Sequence, residues 1–143
     1  MLDESEYKRW FETAKRNLES SRGDLERGDY NWACFKAQQA AEMAVKALLH
    51  GLGMPAYGHS ISKLLEQLRD KGFSVDEDLM QAAKTLDKYY VPTRYPNAWS
   101  EGMPYDYYTR LDADKAIEHA QRILLWVDGV WKQLKKECSL EVR

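Results

Sequence analysis

The sequence predicts an all-α protein, an up-and-down bundle of four to five helices. Three observations carry that expectation. Apolar residues recur at steps of three and four through most of the chain, which is the period of one helix face. Asp, Ser, Gly and Pro stand where helices must begin and end. No stretch alternates apolar with polar residues as a half-buried strand would, and there is no internal repeat or linker.

Tyr7, Trp10, Phe11, Ala14, Leu18, Ser21 and Leu25 trace the first helix. Asp3 is placed to cap it, with Glu6 three residues on in the manner of a capping box, and Gly28 is its stop. The second helix, YNWACFKAQQAAEMAVKALLHGLG, is apolar almost all round. It is expected at the centre, its alanines letting neighbouring helices come close. Gly51, Gly53, Pro55 and Gly58 make a loop, and a short helix follows from about Ser60 to Lys71, ended by Gly72. Ser74 with Glu77 reads as the capping box of a fourth helix running through Leu79, Ala83, Leu86 and Tyr90. Pro92 cannot continue it. A long loop with three prolines and five aromatics leads to a last helix from about Asp112 to Lys136, and Gly129 inside it suggests close packing.

A chain of 143 residues is expected to be one domain, residues 1–143, able to bury a core without disulfide or metal staples. Its formal charge of −2 lacks the basic excess of proteins that grip long nucleic acid, so any contact with RNA must be local. Cys34 and Cys138 sit in dissimilar surroundings, which suits two free thiols in a reducing compartment. There is no apolar run of membrane-spanning length, and MLDESEYKRW is not built like a leader; the expected location is cytoplasmic.

His50, His59 and His119 are scattered and neither cysteine has a nearby partner, so no metal site is expected, nor any cofactor. Gln38, Glu42, Lys46 and His50 recur every four residues along the second helix. That line can be a solvated stripe with a Glu42–Lys46 pair, or it can face a cleft or a partner subunit. The stretch KTLDKYYVPTRYPNAW, residues 84–99, holds Arg94 between prolines and tyrosines. A guanidinium there suits phosphate, and Tyr90 and Tyr95 can stack or donate hydroxyls. Equally, Asp87 or Glu101 can pair with Arg94 while the tyrosines seal the end of the bundle. Trp126, Trp131 and the tyrosine-rich loop offer apolar surface of the kind that dimers cover.

Trp10 with Ala14, KAQQAAEMAVKALL at 36–49, GHSISKLLEQL at 58–68, LDKYYVPTRYP at 86–96 and AIEHAQRILLWV at 116–127 together resemble the HEPN domain, named for higher eukaryotes and prokaryotes nucleotide-binding. The resemblance covers nearly the whole chain. It implies a helical bundle that dimerises and a frequent pairing with a small nucleotidyltransferase in a toxin–antitoxin-like arrangement. Some members of that family are metal-independent ribonucleases, using an Arg followed four to six residues later by a His. In this sequence Arg94 is followed by Tyr95, Pro96, Asn97, Ala98, Trp99 and Ser100, with no histidine in that window. The expectation is therefore a homodimeric module that binds a nucleotide, an RNA or a phosphate-bearing partner. Arg94 would meet phosphate, Tyr90 and Tyr95 would line the pocket, and Lys46 and His59 would add polar contacts. The alternatives are a ribonuclease toxin acting through His59 and Arg94, and a purely structural interaction subunit.

Overall fold

The computed structural model describes residues 1–141: five α-helices and two short 3-10 turns, with no strand among the described residues. The helices are α1 (Glu4–Arg27), α2 (Tyr30–Gly51), α3 (Ile61–Asp70), α4 (Glu77–Asp87) and α5 (Arg110–Glu141). The turns, Pro96–Ala98 and Pro104–Tyr107, lie between α4 and α5.

Asp3 caps α1 by accepting the Glu6 amide at 3.0 Å. Only this half of the expected box forms, because the Glu6 carboxylate pairs with Arg9 instead. Gly28, with φ of +83°, reverses the chain in the left-handed conformation that glycine adopts without strain. α2 then runs through the middle of the bundle and touches α1, α3, α4 and α5. Ala33, Ala37, Ala40, Ala41, Ala44 and Ala47 are all fully buried, so its neighbours approach over methyl groups rather than long side chains. Cys34, buried on the same helix, is free; burial pushes its thiol up to about 12, so it stays protonated at neutral pH.

Gly51 closes α2 with a contact that only a glycine permits. A Cβ built there would lie 2.5 Å from the Trp131 ring of α5. That indole is buried and stacks on Tyr7 at 4.1 Å, which in turn stacks on Phe11 at 5.3 Å. Trp131 is therefore core, not spare surface, and the tight packing expected at Gly129 belongs to Gly51. Gly129 is exposed, with nothing within 4 Å of a built Cβ.

Three of the boundaries that differ from expectation do so for a local reason, and α5 also runs beyond Lys136 to Glu141. The cap of α4 is Asp76, whose carboxylate accepts the Leu79 amide at 2.7 Å. Asp76 directly precedes the helix, while Ser74 is held off by the buried Val75 between them. α4 also stops at Asp87, leaving Tyr90 outside it. α5 starts at Arg110, because Thr109 and Asp112 cap it reciprocally: the Thr109 amide donates to Asp112 at 2.9 Å and the Asp112 amide to Thr109 at 3.2 Å.

The segment between α4 and α5 is pinned rather than loose. Thr93 is fully buried, donates to the Tyr89 carbonyl at 2.8 Å, and its own carbonyl accepts from Asn31 at 3.0 Å. The Trp99 indole donates to the Pro92 carbonyl at 2.7 Å and stacks on Tyr107 at 4.1 Å.

These two glycines predict opposite outcomes. Gly51→Ala forces a methyl into Trp131 and lowers stability by about 2 kcal/mol. Gly129→Ala removes helix-interior glycine with no clash and raises it by up to about 1 kcal/mol. Urea unfolding of the two variants measures both; a loss at 129 as large as that at 51 would refute this packing.

Candidate functional site

Between Phe35 and Glu42 of α2, four elements converge: α2 itself, the turn before α3, the end of α4, and the proline-bounded segment after it. Asp87 does the joining. Its carboxylate accepts from the Ile61 amide at 2.6 Å, the Ser62 amide at 3.2 Å, the Ser62 hydroxyl at 2.6 Å and the Ser60 hydroxyl at 3.0 Å. A carboxylate at a helix N-terminus satisfies otherwise orphaned amides and complements the helix dipole. Asp87 is thus committed to α3 and does not pair with Arg94.

Arg94 is half-buried. Its Nε and Nη2 donate to the Tyr90 carbonyl at 2.9 and 2.7 Å, and among the described residues it pairs with no carboxylate, Glu101 included. The guanidinium lies among three rings, 4.0 Å from the centroid of Phe35, 4.8 Å from Tyr90 and 5.0 Å from Tyr95. Such contacts hold a cation without neutralising it. The side of the fork carrying Nε is taken by the carbonyl, which leaves the Nη1–Nη2 edge without a hydrogen-bond partner among the described residues.

His59 approaches from the turn before α3. Its ring stacks on Tyr90, with centroids 4.3 Å apart, so one tyrosine lies against both the imidazole and the guanidinium. Nδ1 of His59 sits 3.2 Å from Glu42 Oε1, and more than half of the side chain is open to solvent.

The polar line on α2 is not solvated. Gln38 is fully buried, Glu42 is 1% exposed and Lys46 8%. Because α2 is enclosed by its neighbours, its polar side chains must satisfy one another. Lys46 Nζ lies 3.0 Å from Glu42 Oε2, and Gln38 Nε2 donates both to Glu42 Oε1 and to the His59 carbonyl at 3.1 Å. Gln39 donates to Gln38 Oε1 at 2.8 Å. His50, the fourth member, stands apart and stacks on Trp10 at 4.5 Å.

The structure therefore brings together Tyr90, Tyr95, Arg94 and His59, while Lys46 reaches this group through Glu42 rather than directly. Phe35 beneath Arg94, and Gln38 and Glu42 behind His59, were not predicted as site residues. The signal for the latter two was present, as polar residues four apart on an otherwise apolar helix. Among the described residues no cluster of three or more His, Cys, Asp or Glu could hold a metal ion, and no helix is long and apolar enough to cross a membrane.

A family model, HEPN domain, matches residues 7–131. The chain is similar to the crystal structure of TT1696 from Thermus thermophilus, at 50% identity and TM-score 0.83, covering 86% of this chain and 96% of that one. It is also similar to ST0689, described as an archaeal HEPN homologue, at 46% identity and TM-score 0.73, covering 86% and 95%. A HEPN domain protein of Thermotoga maritima matches at 35% identity and TM-score 0.70, covering 87% and 98%. A Methanocaldococcus jannaschii protein named "putative toxin MJ1304" is 25% identical over 125 residues, 82% of each chain.

Removal of the Asp87 carboxylate tests the junction. Asp87→Ala leaves the first amides of α3 unpartnered and is expected to cost about 2 kcal/mol of stability, measured by denaturant unfolding. A loss below a few tenths would mean that α3 is held by other contacts.

Proposed function

The chain belongs to the HEPN domain family, and from that premise we propose that it is a homodimeric module binding a nucleotide or another phosphate-bearing ligand. It works beside a small nucleotidyltransferase in a toxin–antitoxin-like pair, as one HEPN-like domain over residues 1–143, in the cytoplasm. The ligand half of this reading is carried by one observation: Arg94 is held in place by a backbone carbonyl and aromatic rings, not by a carboxylate. Its full positive charge remains available to an anion. Tyr90 and Tyr95 flank that charge, and His59 adds a polar edge. The toxin name of the M. jannaschii relative supports the toxin–antitoxin half.

Calorimetric titration of the purified chain with ATP and with short single-stranded RNA tests the ligand. Binding is expected, with Arg94→Ala weakening it by roughly tenfold or more, the usual effect of losing a charge-assisted hydrogen bond. Absence of heat with either ligand, in wild type and variant alike, would sink the reading.

A second reading, a metal-independent ribonuclease, is favoured by the same Tyr90 ring serving both His59 and Arg94. Imidazole can move protons near neutral pH while guanidinium steadies the phosphate. It predicts RNA cleavage in the presence of a chelator, abolished by His59→Ala and by Arg94→Ala; cleavage that survives both changes rules this site out.

Self-association is supported by apolar side chains left in solvent around the proline-bounded segment. Val91, Tyr95, Met103, Tyr105 and Leu111 are all exposed, Leu111 by 66%. Light scattering at micromolar concentration is expected to give the mass of a dimer; a monomer would count against it.

A further inference from the structure

Glu42 lies on a helix enclosed by its neighbours, yet three side-chain nitrogens converge on its carboxylate. Lys46 Nζ is 3.0 Å from Oε2, Gln38 Nε2 is 3.1 Å from Oε1, and His59 Nδ1 is 3.2 Å from Oε1 and 3.4 Å from Oε2. A carboxylate flanked by an ammonium and an amide N–H has only lone pairs to offer a third group. The imidazole nitrogen that faces it must therefore bring the hydrogen.

The rest of His59 is held to match. Its carbonyl accepts from Gln38, its ring lies flat on Tyr90, and the next residue, Ser60, is tied to Asp87. With ring plane and Nδ1 both constrained, Nε2 has no hydrogen-bond partner among the described residues, and more than half of the side chain is open to solvent.

We infer that Glu42 is a positioning residue: it holds His59 in the tautomer with hydrogen on Nδ1, so that unprotonated Nε2 is presented as a hydrogen-bond acceptor on the imidazole that shares the Tyr90 ring with Arg94. Which nitrogen of a histidine is free is set by what the other one bonds. The pairing of a cation with a neutral acceptor selects a class of ligand, an anion that also carries a hydroxyl donor. A ribonucleotide has that chemistry and a dideoxynucleotide lacks it. This selectivity rests on the phosphate reading of Arg94; the role of Glu42 does not.

Long-range imidazole proton–nitrogen correlation spectra of the full ¹⁵N-labelled chain read the tautomer directly, at mildly alkaline pH and without ligand. The His59 signal is identified by its loss in His59→Gln. The wild type is expected to show Nδ1 protonated, and Glu42→Leu combined with Lys46→Met, which removes the carboxylate and its counterion together, is expected to lose that preference. Glu42→Gln, which keeps the shape, is expected to show a mixture, since an amide can turn either a donor or an acceptor toward Nδ1. A wild-type ring protonated on Nε2 overturns the inference, and so does a wild-type pattern retained in the variants.

The second arm compares ATP with 2′,3′-dideoxyATP by calorimetry. ATP is expected to bind roughly fivefold more tightly, a factor that one hydrogen bond supplies, and the ratio falls toward one in the double variant. Equal affinities in the wild type overturn the selectivity. If neither nucleotide binds, the nucleotide reading fails, while the spectra still decide what Glu42 does.

Discussion

A helix surrounded by its neighbours must find partners inside the protein for every polar group it carries. α2 is such a helix, and its alanines are the reason: four other helices can approach it closely because little side chain intervenes. The consequence is that Gln38, Glu42 and Lys46 cannot turn to water. They bond to one another and to His59, and a buried pair of charges becomes tolerable only because amide and imidazole donors complete it. The central packing and the polar cluster are thus one arrangement. Small residues produce the enclosure, and enclosure turns a surface-like sequence line into an ordered internal network.

That network ends at His59. Asp87 anchors the start of α3, which places His59, while Tyr90 holds Arg94 through its carbonyl and backs His59 with its ring. Backbone and aromatic contacts are well suited to presenting a cation. They fix its direction and exclude part of the solvent, but they leave its charge intact, as a salt bridge would not. The prolines and the buried Thr93 hold the segment that makes this possible.

Much of the scaffold was legible from the residues alone. α1, with its Asp3 cap and Gly28 stop, and the central position of α2 follow from period and composition, because capping and amphipathicity are local properties. α4 shows the limit: Ser74–Glu77 and Asp76 are both reasonable starts, and burial of Val75 between them decides for Asp76. The glycines show it more sharply. Gly51 reads in sequence as a loop residue and Gly129 as the one that packs closely, yet only Gly51 meets a ring, since the contact comes from Trp131, eighty residues away in the chain. Phe35 under Arg94 was illegible for the same reason; nothing near either residue in sequence points to the other.

What the sequence by itself determined was the set of helices, the aromatic, proline-bounded setting of Arg94, and the family that these motifs resemble. Those depend on spacing over a few residues, where propensity and period act. Only the tertiary structure decided that the polar line on α2 is buried, that Asp87 serves α3 rather than Arg94, and that His59 and Arg94 share a tyrosine. Each of those outcomes depends on which helix ends meet in space, and that is set by the whole core packing at once rather than by any local stretch.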